Sequence, residues 1–256
     1  CMSGAAFKQL RTSYVPKDLV GFNAAWFITR TGENQNYNIA EDLIPGKKVF
    51  LLGSYEKPVS GDIDIGVDWG TEQPTDIEIW EWVEHWFVNK LKISKQHLKI
   101  VKGWNQIHCL VPLMNNKTGK PVMGCYQKDG SFIQSDVPGM IQIDLLFGNR
   151  QWMQSVLSGP STTTKYKASY RTNLLAEIVS AINWKVGNIN HKFSFDYKFG
   201  VFHKTFRVKP PTGKQKIDQI EQISRKLMFN DPNILAKTLF GIQYTWEDID
   251  SYEKIT

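Results

Sequence analysis

Three aspartates and a Gly-Ser step are the residues of this 256-residue chain whose types and spacing suit joint chemistry. Asp62 and Asp64 lie two residues apart in Gly61-Asp62-Ile63-Asp64-Ile65-Gly66-Val67, and Asp144 sits in Met140-Ile141-Gln142-Ile143-Asp144-Leu145-Leu146-Phe147. Both runs read as strands. Side chains at i and i+2 of a strand share a face, so Asp62 and Asp64 point the same way from a segment whose other residues favour burial. Strands disfavour Asp, and adjacent like charges repel unless a cation sits between them. A metal ion answers that requirement. Hard oxygen ligands favour Mg2+ or Mn2+ over zinc.

The neighbouring sequence supplies the elements that must position these groups. Lys47-Lys48-Val49-Phe50-Leu51-Leu52 is a strand leading directly into Gly53-Ser54. Gly53 allows close approach of backbone to a phosphate, and the amides that follow, with the Ser54 hydroxyl, can bind the anion. Apolar residues at helical spacing from Ile77 to Leu91 predict a helix, opened by Pro74-Thr75-Asp76. Segments 97–101 and 106–111 predict a hairpin, and 114–139 a turn-rich hairpin insertion before the Asp144 strand. Short helices are predicted at 22–28, 38–43 and 151–157, and a longer one over 166–182. Segments 193–197 and 202–208 predict a hairpin around Gly200. Residues 215–229 and 232–240 predict helices, and Trp246-Glu247-Asp248-Ile249 starts a last one.

Hydrophobic content of 41% and charged content of 22% are ordinary for a globular protein. No apolar run approaches the roughly 20 residues needed to span a bilayer, so no membrane partner is expected. The N-terminus has no signal-peptide pattern, and Cys1 before Met2 has the look of a cloning remnant. Cys1, Cys109 and Cys125 lack metal-site spacing and are read as free thiols of a reducing, cytoplasmic compartment. The net charge of +6 is uneven: residues 1–150 hold 16 basic and 16 acidic side chains, and residues 151–256 hold 15 and 9. A neutral first part and a basic second part fit a catalytic part joined to one that grips a polyanion. A solvated lysine-rich surface would look the same.

The order of strand, Gly53-Ser54, loop, Asp62-x-Asp64 strand, helix and later Asp144 strand resembles the nucleotidyltransferase superfamily typified by DNA polymerase β. The resemblance implies an α/β fold. Its catalytic core is a palm of about 47–150, with a mixed β-sheet and flanking helices, inside a first domain of 1–150. A mainly helical, basic C-terminal domain with one hairpin is expected over 151–256, closing the nucleotide cleft. It further implies that Asp62 and Asp64 bridge two Mg2+ ions, with Mn2+ as an alternative, and that Asp144 completes one shell and takes the proton of an attacking hydroxyl. Ser158 and Gly159, in Ser158-Gly159-Pro160-Ser161, would lie near the sugar and base of the NTP or dNTP. Lys165, Lys167 and Arg171 would lie near nucleotide or acceptor.

Two departures from the family pattern stand out. The loop from Tyr55 to Gly61 is about two residues short and lacks the Arg often found after Gly-Ser, making Lys57 the substitute phosphate contact. About 45 residues precede the Gly-Ser strand, which leaves no room for the helical domains of a gap-filling polymerase.

The implied reaction moves an NMP from an NTP to an acceptor hydroxyl, most simply a nucleic-acid 3′ end. A small molecule, a protein hydroxyl, or a non-catalytic nucleic-acid-binding role on the same fold are the alternatives. His85, His97, His108, His191 and His203 show no metal spacing and read as ordinary surface or core. Tyr197, Phe202 and Phe206, interleaved with Lys192, Lys198, Lys204 and Arg207, fit either a single-strand grip or a hairpin core with a solvated edge, and the core reading is favoured.

Overall fold

The computed structural model describes residues 5–7, 12–30, 37–38, 48–52, 57–70, 77–161, 164–214 and 217–256. Two compact units divide the chain, Cys1–Arg150 and Gln151–Thr256. No helix among the described residues is long and apolar enough to cross a membrane.

In the first unit, β1 (Val15–Pro16) leads into α1 (Lys17–Ile28), followed by the short strands β2 (Thr29–Arg30) and β3 (Tyr37–Asn38). Then come β4 (Val49–Leu52), β5 (Val59–Ser60), β6 (Asp62–Asp68), α2 (Ile77–Asn89), β7 (Leu98–Val101), β8 (Gln106–Pro112), β9 (Met123–Tyr126), β10 (Phe132–Pro138) and β11 (Met140–Gly148). Five of these strands form one sheet in the order β4-β6-β11-β8-β7. The β6–β11 pair is parallel and the others antiparallel, so the sheet is mixed. The hairpins expected at 97–111 and within 114–139 are present as β7–β8 and β9–β10. Of the helix expected at 38–43, Asn38 lies in a strand and the remainder falls outside the described residues.

Period-two alternation divides the chemistry of the sheet from its core. Ile63, Ile65 and Val67 of β6, Ile143, Leu145 and Phe147 of β11, and Ile107 and Cys109 of β8 are buried on one face. They pack with Leu19, Val20 and Phe27 of α1 and with Trp80, Val83 and Phe87 of α2, whose spacing puts each set on one stripe of its helix. The intervening residues Asp62, Asp64, Gln142 and Asp144 take the other face by necessity. Buried Asn23 ties α1 to the turn after β8, donating to the Met114 carbonyl at 3.0 Å and accepting from its amide at 2.8 Å.

The second unit corrects the expectation of a mainly helical domain. α3 (Arg150–Val156) and α4 (Ala168–Ser180) are followed by β12 (Asn183–Val186), β13 (Ile189–Asp196), β14 (Gly200–Lys209) and β15 (Gln219–Phe229), then α5 (Pro232–Phe240), α6 (Trp246–Ile249) and α7 (Tyr252–Ile255). The four strands form one antiparallel sheet in sequence order. The helix expected over 215–229 is strand β15. Ile217, two residues before the strand, recurs with its Ile220 and Ile223 at helical spacing, but the register shifts twice against β14, with Ile223 and Met228 as the extra residues, and each bulge breaks the two-residue alternation. Those apolar residues are exposed, so backbone pairing with β14, rather than burial of an apolar stripe, holds the segment. The core of this unit joins Trp152 and Val156 of α3, Leu175 and Val179 of α4, Phe195, Val201, and Leu235 of α5.

One glycine in the first sheet is set by close approach. A Cβ on Gly66 would stand 2.3 Å from the ring of Phe50, which lies directly opposite on β4 and is buried. Gly66→Ala is therefore expected to cost about 1–3 kcal/mol through overpacking. Denaturant titration would show it, and the increment should shrink when Phe50→Ala has already opened the space.

Candidate metal centre

The parallel pairing of β6 with β11 sets Asp144 opposite Asp64 and Gln142 opposite Asp62. On the other side of β11, antiparallel β8 sets His108 opposite Asp144. Three strands thus bring their polar residues together on one face of the sheet. One ligand oxygen from each of Asp62, Asp64 and Asp144 lies within 4.8 Å of the others. Asp62 and Asp144 are buried, and Asp144 is fully enclosed.

The carboxylates differ in what holds them. Asp144 Oδ1 accepts two hydrogen bonds, one from His108 Nδ1 at 2.8 Å and one from Gln142 Nε2 at 2.8 Å. Where Asp144 is the acceptor, the proton of the His108 bond sits on Nδ1. Gln142 is itself oriented, since its Oε1 accepts the amide of Ala6 at 3.3 Å. Oδ2 of Asp144 and Oδ1 of Asp64, in contrast, are buried without a hydrogen-bond partner among the described residues. Orphaned buried acceptors are costly. Among the described residues, no Lys or Arg forms an ion pair with Asp64 or Asp144.

The electrostatic strain shows in two groups. Burial pushes the Asp64 carboxyl well above the ordinary carboxylate range, the charges of Asp62 and Asp144 push it further, and Lys57 opposes them. Burial likewise raises the Cys109 thiol, helped by the charge of Asp144. Three converging carboxylates, two orphaned oxygens and an all-oxygen donor set fit a hard divalent cation. Asp62, Asp64 and Asp144 are the residues that would hold it.

The other expected site residues are less closely drawn together. Gly53 and Ser54 lie outside the described residues, although β4 ends at Leu52, immediately before them, and Leu52 pairs with Asp64. Lys57 is exposed at a bend and reaches the triad by its charge. Ser158 and Gly159 lie in the turn after α3, in the second unit, and Lys165 is exposed there. Lys165 and Tyr166 donate their amides to Glu253 at 2.9 and 3.2 Å.

Arg171, expected near nucleotide or acceptor, is fully buried inside that unit. Its guanidinium donates to the carbonyls of Val156, Ser158 and Asp250 at 2.7 to 3.0 Å and lies 5.1 Å from the centre of the Trp246 ring. Burial lowers its pKa to about 10. Arg171 is a clamp that satisfies the end of α3 and fastens it to the C-terminal helices. Asp250 strengthens the same junction: burial would raise its carboxyl, but hydrogen bonds from Ser161 and Lys254 hold it below its ordinary value.

His108 and Gln142 are the site residues that spacing did not reveal. Gln142 stands two residues before Asp144, and so on its face of the strand; this was the available signal. His108 is 36 residues away in sequence and meets Asp144 only through strand pairing.

No protein-family model matches the chain, and no curated protein matches it. Among solved structures, it is similar to Leishmania infantum polymerase beta in a ternary P/T complex, at 12% identity and a TM-score of 0.48, over 96% of this chain and 80% of that one.

The raised Asp64 value gives a signed expectation. The metal-free fold gains stability where Asp64 keeps its proton; that gain is full below the ordinary carboxylate range and is lost as pH rises through the raised value. A divalent cation binds the ionised form. Added Mg2+ or Mn2+ should therefore raise the unfolding temperature more at mildly alkaline than at mildly acidic pH, and Asp64→Asn should abolish the effect. Calorimetric scans at both pH values check this. His108→Ala should weaken Mn2+ binding roughly 10- to 100-fold by releasing Asp144, with His108→Asn losing less, as measured by titration calorimetry.

Proposed function

We propose that the chain is a metal-dependent nucleotidyltransferase that moves an NMP from an NTP to an acceptor hydroxyl, releasing pyrophosphate. The observation that carries this reading is the convergence of Asp62, Asp64 and Asp144 from two parallel strands, with two buried oxygens that have no hydrogen-bond partner among the described residues. A nucleic-acid 3′ end is the acceptor favoured by the basic second unit.

Bound Mg2+ ions, two in this reading, would supply charge neutralisation to both the attacking and leaving oxygens of an in-line displacement. The chain's own residues set the remaining geometry. His108 and Gln142 occupy one oxygen of Asp144, fixing the carboxyl plane and leaving Oδ2 as the atom able to take the proton of the attacking hydroxyl. Gly53, Ser54 and Lys57 are assigned to the triphosphate: the first two by backbone and hydroxyl donors, the third by its charge. Ser158, Gly159 and Lys165 are assigned to the nucleotide more loosely, from their order along the chain.

With Mg2+ and NTP or dNTP, the protein should extend a labelled RNA or DNA oligonucleotide and release pyrophosphate. Asp144→Ala should lower that rate roughly 10²- to 10⁴-fold, the range expected for loss of a positioned acid or base, and Asp62→Ala with Asp64→Ala should abolish it. Label on a protein or small acceptor without oligonucleotide extension would overturn the choice of acceptor. No pyrophosphate release with any nucleotide and acceptor would sink the enzymatic reading.

A further inference from the structure

A cationic row crosses the sheet of the second unit. Strand pairing puts Lys192 of β13 opposite Lys204 of β14, and Lys204 opposite Arg225 of β15. Residues directly opposite share a face, and neighbouring strands lie about 4.8 Å apart, so the three cations form a line about 10 Å long. Like charges directly opposite destabilise a sheet. Asp196 meets Arg225 at 3.2 Å, one carboxylate beside three cations. Burial lowers the Lys204 pKa, and the charges of Arg225 and Lys192 lower it further, as expected where positive charge is crowded.

Aromatic rings stand on the same face. Phe202 and Phe206 alternate with Lys204 along β14, so all three point one way. Phe202 is buried under the Arg225 guanidinium, 3.4 Å from its ring centre, and is closed to a base. Phe206 is half-buried, with Lys192 Nζ over its ring at 5.9 Å. Lys185 of β12, exposed, lies in the Phe206 row through Asn190.

We propose that this face binds the phosphate backbone of a single-stranded nucleic acid, with Phe206 offering its ring to a base. Charge complementarity selects a polyanion, and the ring selects a strand whose bases are unstacked, since a duplex offers it no free base face. The inference concerns the nucleic-acid class of acceptor in the proposed transfer. It rests on that reading for its purpose and not for its test.

Fluorescence anisotropy of a short labelled single-stranded oligonucleotide with the full chain provides that test. Wild-type binding should weaken with salt. Lys192→Glu and Lys185→Glu should each weaken it several-fold and reduce the salt slope by about one. Lys237→Glu, an equal charge change on exposed α5 surface, should leave it near wild type. Phe206→Leu should cost roughly five- to hundredfold with its unfolding temperature checked alongside. Mn2+ titration of the wild-type protein is read separately: absent Mn2+ binding would sink the metal-centre reading and leave the oligonucleotide result standing. The proposal is overturned if wild type does not bind the oligonucleotide, if Lys237→Glu weakens binding as much as Lys192→Glu, or if duplex or phosphatidylserine vesicles are preferred to the single strand.

Discussion

Three carboxylates converging on one sheet face need a proton or a metal cation to relieve their repulsion, and the arrangement of the first unit depends on that constraint. Neither the sheet nor its flanking helices supplies an arginine or lysine partner for Asp64 or Asp144. The burden appears in the raised Asp64 carboxyl and in the two oxygens without partners. A fold under selection for stability alone would replace such groups with apolar residues. Their retention at the centre of the sheet points to a ligand that recovers the desolvation cost.

Rigidity of the site comes from the register of the sheet. The parallel β6–β11 pair and the antiparallel β11–β8 pair are each held by an apolar face that a one-residue slip would expose. Ile63, Ile65, Ile143, Leu145 and Ile107 thereby fix the positions of Asp64, Asp144 and His108 on the reverse face. Core packing and site geometry are two faces of one register. Asp144 gains further restraint from His108 and Gln142, and Gln142 from the Ala6 amide, so the N-terminal turn contributes to the orientation of the third carboxylate.

The second unit solves a different electrostatic problem. Buried Arg171 finds carbonyl acceptors at the end of α3 and at Asp250, the latter 79 residues further along the chain. The cationic row on the sheet is relieved at one end, where Asp196 meets Arg225. The contrast is between a cation enclosed among carbonyl acceptors and cations that face one another across neighbouring strands.

Local sequence determined the strands carrying Asp62, Asp64 and Asp144, because two-residue alternation is a local property and each strand has a continuous apolar face. It also determined the common face of Asp62 and Asp64, and that of Phe202, Lys204 and Phe206. Two kinds of feature escaped it. β15 reads as a helix because Ile217, Ile220 and Ile223 stand three residues apart, and nothing local shows that the segment pairs with β14 or bulges against it. Partnership across strands is equally non-local: nothing near His108 signals Asp144, and nothing near Arg171 signals the Val156, Ser158 and Asp250 carbonyls. Sequence alone thus determined which residues share a face of their own strand. Tertiary structure decided which strands lie side by side, because pairing and register depend on burying apolar faces contributed by distant segments, and with that decided which carboxylates meet, which histidine holds one of them, and which arginine is enclosed.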